Sequence, residues 1–165
     1  MKRIGVVGLP GGWSSERLAD ALEELTGFRL LVDLARVSAD LSQGSLWFED
    51  LELTALDGLV IKKVGPAYSP DLLDRLELLR LAGPRGVRVF SDPERIIRVI
   101  DRLSCTATLV LSGLPMPPTV VTEDPEAAVR AVEGFGPSVL KPLYTSKARG
   151  MMVVQIGRAS CRERV

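Results

Sequence analysis

The sequence predicts an α/β protein whose first part is built on a parallel sheet. An apolar, β-branched run at 3–7 is followed by a glycine-rich turn at 8–12, a helical pattern, and a second strand at 28–32. A third β-branched run, at 58–65, continues the alternation. Because strand–helix–strand units join parallel strands, these segments indicate one parallel sheet. The composition, 46% hydrophobic and 25% charged, is typical of a globular protein.

The elements of the first half can be justified in chain order. In the first helix Leu18, Leu22 and Leu25 share a face, a serine at 14 or 15 can cap the start, and Gly27 can end it. The next segment, 36–48, is less regular and predicts a hairpin or a covering loop. We interpret its Trp47 as an anchor for that segment rather than as a ring that stacks on a ligand.

The second half begins with an amphipathic helix at 68–82, whose buried face is formed by leucines 72, 76 and 79. A fourth strand at 87–90 precedes a Ser-x-x-Glu capping box, which predicts a helix that continues to about Leu111. A proline-rich connector at 113–118 leads to a predicted strand at 119–121 and a helix at 126–132. The last strand ends at Lys141, and Val139-Leu140 is predicted to be buried.

We interpret the final ten residues, Ile156–Val165, as non-native. They break the strand-like pattern at 150–155, and back-translation reads them as codons of a commonly used sequencing adapter. Such a tail carries no information on the fold. Without it 18 Lys+Arg and 20 Asp+Glu remain, a net charge of −2. We expect the natural protein to continue beyond Gln155.

Charge and rare residues narrow the function classes. A mildly acidic chain gives no electrostatic reason to expect nucleic-acid or membrane partners, and no signal peptide or membrane span is visible. Cys105 is the one cysteine outside the tail and histidine is absent, which excludes an internal disulfide and a Ser–His or Cys–His nucleophile in these residues. A cytoplasmic location and no metal site in this part of the chain are the resulting expectations.

The main candidate site lies at 138–151, SVLKPLYTSKARGM. A strand ends at Lys141, and the following loop combines small residues with the cations Lys147 and Arg149. Backbone N–H groups of such a loop, from Ser146 to Gly150, can face a polyphosphate while the cations supply charge.

A second candidate lies at the carboxyl ends of the first strands. Gly11 and Gly12 precede a helix N-terminus, and Asp33 follows about 20 residues later, which resembles a dinucleotide-binding turn. The spacing differs, so a tight structural turn is the first interpretation, substrate contact the second and dinucleotide binding the third. Lys63 ends the third strand, where open α/β sheets bind ligands, and is either a ligand contact or a solvated strand end.

Residues 89–151 resemble the ATP-grasp superfamily, and within it the RimK-like carboxylate–amine ligases, in the order of their motifs. Those motifs are a strand leading to a Ser-x-Pro helix start, an Asp–cation pair, a Gly-x-Pro-x-Pro connector, a Lys-Pro strand end and a phosphate loop. They correspond here to Phe90–Pro93, Asp101-Arg102, Gly113–Pro117, Lys141-Pro142 and Thr145–Gly150. Residues 144–150 resemble the ATP-grasp member of the so-called GAK cassette. Two glycines of the family's Gly-Ser-x-Gly-x-Gly loop are replaced here.

The resemblance implies a division of the chain. Residues 1–90 would form a Rossmann-like pre-ATP-grasp domain with a parallel sheet. Residues 91–155 would form the first, incomplete part of an ATP-grasp α+β domain, and 156–165 the adapter-derived tail.

The resemblance also implies a function. Lys141 would grip the phosphates of ATP, Arg102 would replace a phosphate-facing lysine, and Ser146–Gly150 would close over the triphosphate. The Mg²⁺ ligands would lie downstream of this part of the chain. A carboxylate would form an acylphosphate with ADP release, and an amine would then displace phosphate. Small-molecule or peptide carboxylates and amines are the implied partners, and the full-length protein could be oligomeric; this chain alone would be inactive.

Two other classes remain open at the level of sequence. One is a non-catalytic Rossmann-like module that binds a nucleotide or a small anion. The other is a recognition subunit of a peptide- or protein-modifying assembly. Acidic metal ligands on later strands would favour the ligase, and their absence would favour the binding module.

Overall fold

The computed structural model describes residues 1–145 and 148–155, together with the backbone of 162–163. Contacts divide the chain into two compact units, 1–100 and 101–165. The predicted boundary lies after residue 90, whereas the helix at 93–100 belongs to the first unit of the structure. The assignment of these units as two domains stays a prediction.

A four-stranded parallel sheet organises the first unit. Its strand order is β2 (Leu31–Val32), β1 (Ile4–Val7), β6 (Gly58–Ile61) and β7 (Arg88–Phe90), with β1 and β6 in the centre. The central strands are hydrophobic on both faces because helices and loops cover a parallel sheet, and Val6, Val7 and Leu59 are fully buried. The strands and helices of this unit are β1 (Ile4–Val7), α1 (Trp13–Thr26), β2 (Leu31–Val32), β3 (Val37–Asp40), β4 (Ser45–Phe48), β5 (Leu51–Glu52), β6 (Gly58–Ile61), α2 (Asp71–Arg80), β7 (Arg88–Phe90) and α3 (Pro93–Ile100).

The predicted parallel sheet is confirmed, and so is the buried leucine face of α2. The first helix begins differently, because Gly12 is its N-cap and Ser15 is buried with its hydroxyl accepting from the Leu9 amide. Its end at Gly27 is confirmed, since this glycine has a φ of +69°. Leu25, which is predicted to share a face with Leu18 and Leu22, is 82% exposed, whereas those two leucines are partly buried.

The irregular segment folds as an antiparallel sheet of β3, β4 and β5. Leu46 and Phe48 anchor it in the core, while Trp47 points to the opposite face of β4 and is 38% exposed. The prediction that Trp47 is the anchor is therefore wrong. Side chains alternate along a strand, so the neighbours of an outward residue face inward.

The described residues of the second unit form two helices and a three-stranded antiparallel sheet, whose order is β10 (Arg162–Glu163), β9 (Met152–Val154) and β8 (Ser138–Leu140). Its elements are α4 (Arg102–Leu111), α5 (Pro125–Phe135), β8 (Ser138–Leu140), β9 (Met152–Val154) and β10 (Arg162–Glu163). Apart from the backbone of β10, the tail interpreted as adapter-derived lies outside the described residues, and its origin stays a prediction.

Three expectations for this half are wrong. The predicted continuous helix breaks at Asp101, whose carboxylate accepts from the amides of Leu103 and Ser104 and so starts a new helix. Residues 119–121 are not a strand; they lack a strand partner among the described residues. Val139 and Leu140 are 51% and 38% exposed, because the described chain does not cover both faces of β8 as a buried strand requires.

Candidate phosphate-binding site

The predicted phosphate loop is the connection of a β-hairpin. Strands β8 and β9 pair antiparallel, with Leu140 opposite Met152, so residues 141–151 link two adjacent strand ends. Lys141 is the first residue after β8 and its side chain is exposed. A lysine at this position is fixed through its backbone, and an exposed ammonium group can meet an anion in solvent.

The C-terminal end of the loop, at Gly150, lies close to its beginning at Pro142. A Cβ atom built on Gly150 would lie 3.3 Å from Cγ of Pro142, which shows how closely Gly150 approaches the segment that follows Lys141. Gly150 also has a φ of +67°, a left-handed conformation that glycine adopts without strain. Lys141 and Gly150 therefore lie at the base of one loop, as the phosphate-loop hypothesis requires.

Ala148 has a φ of +59°, which is uncommon for a residue with a side chain. Two glycines of the family's loop are replaced in this chain according to the resemblance, and Ala148 adopts a left-handed backbone in this loop. Arg149, the next residue, is exposed. The predicted contacts Ser146 and Lys147 lie outside the described residues.

Arg102 holds the first turn of the loop. Its Nη1 donates to the carbonyl oxygen of Pro142 at 2.5 Å, and its Nη2 donates to that of Thr145 at 2.7 Å. The residue is the first of α4 and is partly buried. The resemblance implies a phosphate contact for Arg102, whereas in the structure both of its terminal nitrogens donate to backbone carbonyls. The Asp-Arg dipeptide signalled the position, but nothing local signalled partners 40 and 43 residues away.

The second candidate site lies in the first unit, where strands β1 and β6 end side by side. The glycine turn follows β1, and the backbone amides of Lys62 and Lys63 both donate to the carbonyl of Val7, the last residue of β1. Both lysine side chains are exposed. From β1 the chain continues to β2 on one side, and from β6 it continues to β7 on the other side. The carboxyl ends of β1 and β6 are therefore the topological switch point of the sheet, where open α/β sheets bind ligands.

The turn amides have partners within the chain. The amide of Gly11 donates to the carboxylate of Glu16 at 2.8 Å, and that of Gly12 donates to the carbonyl of Leu9 at 3.0 Å. Gly8 is required by space, since a Cβ there would lie 2.6 Å from the hydroxyl oxygen of Ser15. These contacts are those of a tight structural turn, the first of the three interpretations offered by the sequence.

Glu16 is a residue that sequence reasoning missed. The hydrogen bond from the Gly11 amide, followed by that from the Arg29 guanidinium at 2.7 Å, lowers the pKa of Glu16 below its ordinary range. Its carboxylate therefore occupies the N-terminal end of α1, where an external anion would otherwise be favoured. Asp33 likewise has an internal role, because it caps a short 3₁₀ helix by accepting from the amide of Ala35.

Among residues 1–145 and 148–155, no three acidic, cysteine or histidine side chains converge as a metal site would require. None of the described helices is long and apolar enough to cross a membrane. The site as described thus consists of exposed cations, a constrained hairpin loop and backbone groups.

Comparison with known proteins agrees with this architecture. No protein-family model matches the chain. The tetrahydromethanopterin:alpha-L-glutamate ligase of Methanosarcina acetivorans is 30% identical over 171 aligned residues, which cover 99% of this chain and 53% of the ligase. The resemblance to ATP-grasp ligases is confirmed. This chain spans about half the length of that relative.

Solved ATP-grasp structures share the fold at low sequence identity. The ATP-grasp ligase PsnB, in complex with a minimal precursor, matches with a TM-score of 0.66 at 20% identity, over 96% of this chain and 58% of PsnB. A RimK domain ATP-grasp protein from Sphaerobacter thermophilus matches with a TM-score of 0.64 at 22% identity, over 93% of this chain and 53% of its own. The RimK-like ATP-grasp fold is therefore confirmed for this chain, whereas the GAK subgroup stays a prediction.

Proposed function

We propose that this chain is part of an ATP-dependent carboxylate–amine ligase that works through an acylphosphate and releases ADP. The observation that carries the proposal is the alignment of 99% of the chain with a ligase whose name specifies glutamate as a substrate. The placement of Lys141 at the base of a constrained hairpin loop supports it. The activity belongs to the whole protein, and we propose that the 165 residues alone are inactive.

The described residues suit the phosphates of ATP. We assign to Lys141 and Arg149 the neutralisation of phosphate charge, because both are exposed cations of the same loop. Ser146, Lys147 and Gly150 complete the proposed contacts. The described residues do not offer a Mg²⁺ site, and we expect the metal ligands to follow in the remainder of the protein.

In the proposed reaction, a carboxylate oxygen of the acid attacks the γ-phosphorus and ADP leaves, which yields an acylphosphate. The nitrogen of a neutral amine then attacks the acyl carbon, phosphate leaves, and the nitrogen loses a proton as the amide forms. The contribution of this chain to the reaction is to hold the phosphates and to neutralise their charge, because phosphoryl transfer depends mainly on positioning and electrostatics.

We further propose that the carboxyl edge of the parallel sheet receives the acid substrate. Lys63 would pair with its carboxylate, whereas Gly11 and Gly12 would contribute close approach rather than free amides. The M. acetivorans relative is named for tetrahydromethanopterin and glutamate, and PsnB is described with a precursor peptide. Either a small-molecule or a peptide carboxylate is consistent with these comparisons. A cytoplasmic location and possible oligomerisation of the full protein stay proposals.

A second candidate is a nucleotide- or anion-binding module without catalysis. The observation that favours it is the switch point between β1 and β6, which is a ligand-binding position in open sheets of this kind. In this case the first unit would carry the nucleotide, and the hairpin loop of the second unit would play no part.

The products of ATP turnover test the ligase proposal. The complete gene product is incubated with ATP, Mg²⁺, L-glutamate and a panel of pterin-linked and peptide carboxylates, and the nucleotides are separated chromatographically. We expect ADP and phosphate to appear in equal amounts and only when an acid and an amine are both present. Release of AMP and pyrophosphate would contradict the acylphosphate route, and the absence of turnover with tight ATP binding would favour the binding module.

A further inference from the structure

Arg102 places a positive charge at a position that is electrostatically unfavourable for a cation. It is the first residue of α4, and the N-terminal end of a helix carries partial positive charge. The helix start itself is already stabilised by the carboxylate of Asp101. Arg102 is therefore not needed to begin the helix, and its charge is compensated instead by the two loop carbonyls that it contacts.

The geometry of those contacts fits a guanidinium group. Two different nitrogens of one planar group reach the carbonyls of Pro142 and Thr145, which lie three residues apart on either side of a turn. The hydroxyl of Thr145 also lies 3.4 Å from the Pro142 carbonyl, within the same turn. A lysine has a single nitrogen with rotatable donors and lacks two nitrogens held in one fixed plane. On the helix side, the hydroxyl of Thr106 donates to the Arg102 carbonyl at 2.9 Å.

We propose that Arg102 is a positioning residue that fixes the 142–145 turn to the start of α4, and thereby sets where Lys141, the residue before the turn, stands. This inference rests on the proposed function, because the turn directly follows the lysine assigned to the phosphates. Arg102 then acts on phosphate binding through the loop backbone, because each of its terminal nitrogens donates to a carbonyl of the turn.

In the first unit another guanidinium also donates to two backbone carbonyls of a turn, and it provides a matched control. The Arg85 guanidinium donates to the backbone carbonyls of Gln43 and Gly44, in the turn between β3 and β4. Substitution of Arg85 removes a guanidinium from two backbone carbonyls without touching the hairpin loop of the second unit.

The test is peptide-resolved amide hydrogen exchange of the ligand-free chain and of its Arg102→Ala, Arg102→Lys and Arg85→Ala variants. We expect both Arg102 variants to speed exchange across 141–155 about tenfold, the effect of losing charge-assisted hydrogen bonds. Peptides from α5 should be unchanged, because a general loss of stability in the second unit would affect them too. Arg85→Ala should speed exchange near 40–48 only.

ATP titrations of the same proteins test whether the contacts of Arg102 with the turn also affect ATP binding. Loss of the two hydrogen bonds to the turn should lower ATP affinity about tenfold in both Arg102→Ala and Arg102→Lys. Retention of loop protection and ATP affinity by Arg102→Lys would overturn the proposal, because a lysine preserves the charge but not the fork. Unchanged exchange in Arg102→Ala would also overturn it. If the wild-type chain does not bind ATP, the proposed phosphate site fails, while the exchange result still decides whether Arg102 holds the turn.

Discussion

Lys141→Ala is expected to weaken ATP binding to this chain about 10- to 100-fold. A charge-assisted hydrogen bond contributes about 1.5–3 kcal/mol, which corresponds to this range of affinity. The side chain is exposed and stands after β8, so its removal should leave the fold intact. Calorimetric titration of the wild-type and variant chains with ATP measures the effect.

Lys2→Ala is the charge-matched control for this experiment. Lys2 pairs with Asp57 at the surface, at 2.6 Å, and belongs to the first unit. Its loss should change ATP affinity less than twofold, because exposed ion pairs contribute little. Equal affinities of wild type and Lys141→Ala would remove this lysine from the site. A loss of equal size in Lys2→Ala would show that net charge, rather than position, governs binding.

The largest expected effect on stability comes from Leu59→Ala. Leu59 is fully buried in the central strand β6, with Gly5 of β1 and Val89 of β7 as its sheet neighbours. A Cβ on Gly5 would lie 3.2 Å from Cδ2 of Leu59, so the side chain fills its space closely. Deletion of three carbons there should lower the free energy of unfolding by about 3 kcal/mol, from lost burial and the cavity left behind.

Leu25→Ala provides the comparison for Leu59→Ala. The same chemical change at this 82% exposed helix position should alter stability by less than about 0.5 kcal/mol. Urea denaturation followed by circular dichroism measures both variants. Similar midpoints for Leu59→Ala and wild type would contradict the assignment of β6 to the centre of the core.

Local signals predicted those parts of the fold that local chemistry determines. The βαβ opening, the leucine face of α2 and the Asp124-capped helix α5 all follow from periodicity and capping residues within a few positions. The break at Asp101 was missed because apolar spacing continues through it. The capping carboxylate is stronger evidence than the periodicity.

Features that depend on tertiary contacts could not be predicted from the sequence. Leu25 has the spacing of a core residue, yet no part of the described chain covers it. At the candidate site, Lys141 and the loop were identified from a strand end and a cationic turn. The partners of Arg102 and the capture of the Gly11 amide by Glu16 depend on how segments meet in space, so residue type and spacing alone did not indicate them.

The central claim is that ATP phosphates bind at the hairpin loop that follows Lys141. The most direct measurement is amide hydrogen exchange of the chain with and without saturating ATP, read for the peptides at 138–155 and 5–18. ATP should slow exchange in the hairpin segment and leave exchange in the glycine turn unchanged. Protection of the glycine turn alone would contradict it, and would place the nucleotide on the parallel sheet instead.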